Sequence, residues 1–137
     1  MKIYYKLILS ILLITHTISN AAEIKPSMSD FEKGFKELNP KIIENLYLKD
    51  GVVISKGTKI EGNTSIAKRF KEKGIKKVNV KFIPKEIING DDLIYERGIF
   101  KDFDKKTDKE IGHGDYFILW KKDGDGYKIK LHTWSEN

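Results

Sequence analysis

An aspartate, an arginine, two histidines and a few tyrosines carry whatever chemistry this sequence holds. In the C-terminal third, Tyr95, Arg97 and Ile99 alternate along one segment, and His113, Asp115, Phe117 and Leu119 along the next. Ile129, Leu131 and Thr133 follow on a third. If these segments pair as antiparallel strands, the residues share one face, apolar for most of its length and polar where Arg97, Asp115, His113 and Thr133 gather. A mostly apolar cavity with a few convergent polar groups is the usual form of a small-molecule site. Asp115 there is a candidate general base, its carboxyl raised by burial and lowered by Arg97. Tyr95 or Tyr47 is a candidate donor to a developing oxyanion, and His113 an assistant. The ligand-contacting set is then Tyr47, Tyr95, Arg97, His113, Asp115 and Phe117. The structural alternative is an Arg97–Asp115 cross-strand ion pair among core tyrosines.

The opposite face carries Ile94, Glu96, Gly98 and Phe100, then Gly112, Gly114, Tyr116, Ile118 and Trp120, then Lys128, Lys130, His132 and Trp134. Two tryptophans and a tyrosine make it too apolar to be left wet. It is expected to be covered by a second subunit or a second ligand through Tyr116, Trp120, His132 and Trp134, with Glu96–His132 as a hydrogen bond at that contact. A one-residue slip in register would exchange the two faces.

The elements that position these residues follow from periodicity and turn chemistry. Ser29 and Glu32 have capping-box spacing, and Phe31, Phe35 and Leu38 line one side of a helix. Asn39-Pro40 ends that helix and opens a second, with Ile42, Ile43, Leu46 and Tyr47 on its apolar side. Asp50-Gly51 stops it. Val52–Ile54 and Thr58–Ile60 form a short hairpin, and a third helix spans about 64–73 with Ile66, Ala67 and Phe70 inward. Val78, Val80 and Phe82 alternate with polar residues, and Pro84 kinks or ends that strand. Leu93–Phe103, a polar 104–108 loop, and two strands joined by Asp-Gly-Asp-Gly complete a four-stranded meander. The expected class is α+β, with three N-terminal helices on the concave face of a strongly curved antiparallel sheet.

Composition narrows the classes of function. The chain has 137 residues, 39% hydrophobic and 34% charged, which suits one globular domain. It has no cysteine, so disulfides, thiolate metal sites and a thiol nucleophile are excluded. With His16 assigned to a leader, His113 and His132 fall on opposite faces, and no metal site is expected. No cofactor motif is present. Lys2 and Lys6, the apolar run Leu7–Ile14 and Ser19-Asn20-Ala21 read as a signal peptide over 1–21, leaving one domain over 22–137. The apolar run is too short to span a bilayer, so no stable membrane anchor is expected after cleavage, and the location is periplasmic or secreted, in a bacterium. Formal charge is +6 over the whole chain. The lysines are interspersed with acids and not with stacking aromatics, so nucleic acid is not the expected partner.

Four stretches together resemble the nuclear transport factor 2-like superfamily, and within it the SnoaL-like proteins of the domain-of-unknown-function 4440 group. They are Leu46-Tyr47 through Asp50-Gly51-Val52-Val53; Ile60-Glu61-Gly62 with Ile66 and Phe70; Tyr95-Glu96-Arg97-Gly98; and Gly114-Asp115-Tyr116 to Trp120 followed by Tyr127-Lys128-Ile129 to Trp134. The sequence departs from the pattern at Tyr127, where tryptophan is usual, and at His132, where aspartate is frequent. The resemblance implies a cystatin-like cone with a pocket inside, and a dimer through the outer sheet face. It implies no single function, because the superfamily holds isomerases, cyclases, hydrolases and non-enzymatic modules. The leading expectation is an exported domain binding a small apolar or amphipathic molecule in the cone. The alternatives are an isomerase, cyclase or hydrolase using Asp115, or a dimeric assembly module acting through the outer face.

Overall fold

The computed structural model describes residues 25–137; residues 1–21, expected to be a signal peptide, lie outside the described residues. Helices α1 (Ser29–Lys36), α2 (Pro40–Leu46) and α3 (Asn63–Lys73) accompany six strands. These are β1 (Tyr47–Ser55), β2 (Thr58–Glu61), β3 (Val78–Asn89), β4 (Leu93–Asp104), β5 (Glu110–Asp123) and β6 (Gly126–Glu136). They form one sheet in the order β2-β1-β6-β5-β4-β3. Every pairing is antiparallel except β1 with β6. The α+β architecture of three helices on a curved sheet is the expected one.

Local chemistry differs from the expectation at two helix ends. The capping box at Ser29 does not form: the N-cap is Met28 and has no side-chain cap. Glu32 instead reaches across to β3, where its Oε1 accepts from the Phe82 backbone N–H at 2.8 Å. That bond anchors α1 to the sheet. At α2, Asn39 caps through its side chain and Pro40 sits in the first turn, as expected. This helix passes straight into β1 at Tyr47, so Tyr47 is a strand residue and not part of the helix face. Asp50-Gly51 falls in a register shift of β1 against β6.

The hairpin turns predict Gly98 opposite Gly114 and Tyr116 opposite His132, and the meander pairs two residues away from that register. Gly98 faces Tyr116 and Arg97 faces Phe117; Tyr116 faces Trp134 and Ile118 faces His132. A two-residue shift preserves the sorting of side chains by face. What reverses is which face is inside. Ile94, Phe100, Tyr116, Ile118, Trp120 and His132 are buried with the helices, while Tyr95, Phe117 and Leu119 lie on the outer side. Burying a side chain such as Ile118 contributes roughly 1.5–3 kcal/mol, so the inward choice of this face is what closes the fold.

One bulge sharpens the reversal. The β5–β6 register shifts between Leu119 and Trp120, leaving Lys130 unpaired opposite them. Below it Ile129 turns inward and is fully buried, while Lys128 and Lys130 turn out to ion pairs with Asp123 and Asp50. Gly98 and Gly114 mark the tightest bends. A Cβ at Gly98 would collide with the Ile83 carbonyl oxygen, and one at Gly114 with that of Ser135. Both positions therefore require glycine for close backbone approach.

Candidate functional site

The expected site residues do not converge in the cone. Asp115 is exposed on the outer face, with Asn137 Nδ2 donating to it at 3.4 Å. Arg97 is ion-paired with Glu86 at 2.6 Å, not with Asp115, and Glu86 holds the guanidinium above its ordinary range. His113 lies 3.3 Å from Glu110 on the same outer surface. Tyr95 and Phe117 pack edge to face, centroids 4.9 Å apart, also outside. Of the expected ligand-contacting set only Tyr47 is interior. The expected dimer residues are displaced the other way. Tyr116, Trp120 and His132 are 3%, 1% and 2% exposed, so none can meet a second copy, and Trp134 faces the cone.

Two buried polar groupings occupy the interior instead. The Glu96 carboxylate accepts from Tyr116 Oη at 2.6 Å and from Trp120 Nε1 at 3.0 Å. In the β4–β5 register Glu96 opposes Ile118, so its two donors are the diagonal neighbours on either side. Burial and the hydrogen bond to Glu96 push the Tyr116 hydroxyl well up. The second grouping joins Tyr47 Oη to His132 Nδ1 at 2.7 Å. Burial lowers the His132 imidazole to about 3 and raises the Tyr47 hydroxyl. With His132 neutral, one hydrogen bond joins the pair, and which of the two donates follows which ring nitrogen carries the proton.

Beside Glu96 a smaller cavity of about 240 Å³ remains, bordered also by Glu32, Phe82 and Pro84. The wide end stays open as a cavity of about 330 Å³, between α1, α3, the β1–β2 turn and the inner side of β3, β4 and β6. Its floor is apolar and aromatic, from Phe31, Phe70, Phe82, Phe100 and Trp134, with His132 at its inner end. Phe31 anchors this floor, meeting Phe70 at 4.9 Å and Phe82 at 5.3 Å, both edge to face. The rim is charged, with Lys56, Arg69, Lys73 and Lys77 and the two carboxylates Asp102 and Glu136. Residues 69, 70 and 73 come from one stretch of α3, whose i, i+4 spacing puts Arg69 and Lys73 together at the mouth.

Asp102 is the titratable side chain whose environment stands out in this cavity. Burial, and then the charge of Glu136, raise its carboxyl to about 6. A carboxyl raised on folding stabilises fully below its unfolded value of about 3.8 and loses that contribution as pH rises through 6. Above pH 7 the ionised group is therefore a net cost, discounted for its half-exposed position to about 1 kcal/mol. Asp102→Asn is expected to raise stability by about that much at pH 7.5 and to show no gain near pH 3.5, read from urea midpoints at the two pH values. A destabilised variant at pH 7.5 would contradict this.

Asp102 and Glu136 were within reach of the sequence. The inward alternation Ile94, Glu96, Gly98, Phe100 continues by two residues to Asp102, and His132, Trp134 by two to Glu136. Among the described residues no three His, Asp or Glu side chains cluster to hold a metal ion.

No protein-family model and no curated protein matches the chain. Solved structures do. An NTF-2-like protein of unknown function from Shewanella oneidensis superposes with a TM-score of 0.64 at 18% identity, over 76% of this chain and 88% of that one. A ketosteroid isomerase-like protein from Erwinia carotovora gives 0.63 at 16% identity, over 78% and 88%. A cystatin-like domain of unknown function from Nostoc punctiforme gives 0.70 at 10% identity, over 79% and 71%. These identities speak to the fold and not to a subgroup. The chain has the nuclear transport factor 2-like, cystatin-like cone fold.

Proposed function

We propose that the protein is an exported small-molecule-binding domain whose site is the open, aromatic-floored cavity at the wide end of the cone. The carrying observation is the combination of that cavity's volume, about 330 Å³, with its lining. It lies at the small end of the range for organic ligands, and apolar walls with a few polar groups at one end are what such ligands need. The export component rests on residues 1–21.

The test uses N-phenyl-1-naphthylamine, a neutral aromatic probe whose fluorescence rises in apolar surroundings. One equivalent is expected to bind with micromolar affinity, and Val80→Trp, which fills the cavity from β3, is expected to weaken it at least tenfold while the chain stays folded by circular dichroism. Unchanged binding in that variant would place the probe elsewhere and sink the reading.

Acid–base catalysis is the second reading, and Asp102 is the observation that favours it. A carboxyl near 6 inside a cavity is poised to exchange protons at neutral pH. Asp115, on the outer face, has no access to a molecule held there.

A further inference from the structure

The cavity's rim carries a charge imbalance that its floor does not explain. Four cations border it and two carboxylates. Lys56 is neutralised by Glu136 at 2.8 Å. No acidic side chain lies within ion-pair distance of Arg69, Lys73 or Lys77 among the described residues. Arg69, Lys73 and Lys77 against the single unpaired carboxylate Asp102 leave an excess of positive charge over an aromatic floor with partly low-dielectric walls, where it is focused toward an entering molecule.

We propose that the cavity selects amphiphiles with a single anionic head, an organic carboxylate or sulfonate whose apolar body lies against Phe31, Phe70 and Trp134 and whose head is held by Arg69 and Lys73. This deepens the cavity reading above and rests on it. Arg69 supplies a planar fork suited to two oxygens of one head group, and Lys73, one turn on, a mobile point charge. Asp102 also lines the cavity, and its charge works against an anionic head. Removing Asp102's charge therefore favours the anion, and removing Arg69 and Lys73 disfavours it.

The experiment compares two probes of one shape on the purified protein at pH 7.5 and low salt: 1-anilinonaphthalene-8-sulfonate and the neutral N-phenyl-1-naphthylamine. The sulfonate is expected to bind at least tenfold tighter and to lose that advantage as salt rises. Weakened binding to Val80→Trp, read for each probe, reports that it occupies the cavity. Arg69→Gln with Lys73→Gln, both exposed helix positions, is expected to cost the sulfonate fivefold or more and to leave the neutral probe within twofold. Asp102→Asn is expected to tighten the sulfonate alone. Equal affinities for the two probes, or a double variant that weakens both alike, would overturn anion selection while leaving the cavity reading in place. Binding of neither probe would overturn both.

Discussion

Replacing Glu96 by leucine is expected to cost about 3–5 kcal/mol of folding stability, the largest loss from any single polar change in the sheet. The carboxylate is 3% exposed and serves two buried donors, Tyr116 Oη and Trp120 Nε1. Leucine fills the space and accepts nothing, so both donors are left in an apolar interior at roughly 1–3 kcal/mol each, and two charge-assisted bonds are lost. Glu96→Gln should cost less, about 2 kcal/mol. Its carbonyl can keep one donor, but its amide turns a donor toward the other. Urea unfolding at pH 7 followed by circular dichroism measures both. A loss below 1 kcal/mol for the leucine variant would mean that the interior tolerates these donors unpaired.

The second large effect is acid destabilisation through His132. Its imidazole is lowered to about 3 by burial, against about 6.5 in an unfolded chain. A histidine lowered on folding stabilises fully above its unfolded value, and that contribution is lost as pH falls from 6.5 toward 3. One extra proton taken up on unfolding gives a slope near 1.4 kcal/mol per pH unit, accumulating on the order of 4 kcal/mol across the window. Asp102 works in the opposite sense between pH 6 and 3.8, so wild-type stability alone mixes the two. The difference between the wild-type and His132→Asn profiles isolates the histidine. Asparagine keeps an acceptor for the Tyr47 hydroxyl and cannot charge, so the variant is expected to be less stable at pH 7 and to converge on the wild type by pH 4. Parallel profiles would show that His132 titrates normally.

The fold was legible in the sequence because its signals are local. Asn39-Pro40, the Asp-Gly-Asp-Gly turn and the alternation of Val78, Val80 and Phe82 with Lys77, Asn79 and Lys81 each specify an element without reference to the rest of the chain. The partition of side chains between faces was legible too, since the register differs from expectation by two residues and parity survives. Sidedness was not. Counted as a plain strand, β6 assigns Lys128 and Lys130 to the same face as Trp120 and Glu96 and makes that face the less apolar of the two. The bulge at Lys130 removes both lysines from it and delivers Ile129 in their place. Nothing in the residues 128–132 announces that extra residue. Glu96 misleads in the same direction, because a carboxylate reads as exposed until Tyr116 and Trp120 are seen to satisfy it.

That reversal moves the candidate site from Asp115 and His113 to the cavity bounded by Phe31, Phe70, Asp102 and Trp134. Of the two tryptophans, Trp120 is locked in the core at 1% exposure, whereas Trp134 faces the cavity beside His132 and Phe70. The network of Glu96, Tyr116, Trp120, Tyr47 and His132 lies in the interior beside that cavity, with His132 on its lining.

The most direct check is a two-dimensional 1H–15N NMR titration of the protein with 1-anilinonaphthalene-8-sulfonate. Saturable shifts are expected at the Trp134 indole N–H and at the amides of Val80, Phe82 and Asp102, with Tyr95, Arg97 and Phe117 on the outer face unmoved. Shifts centred on Tyr95, Phe117 and Leu119, with the Trp134 indole unmoved, would contradict a binding site in the cone.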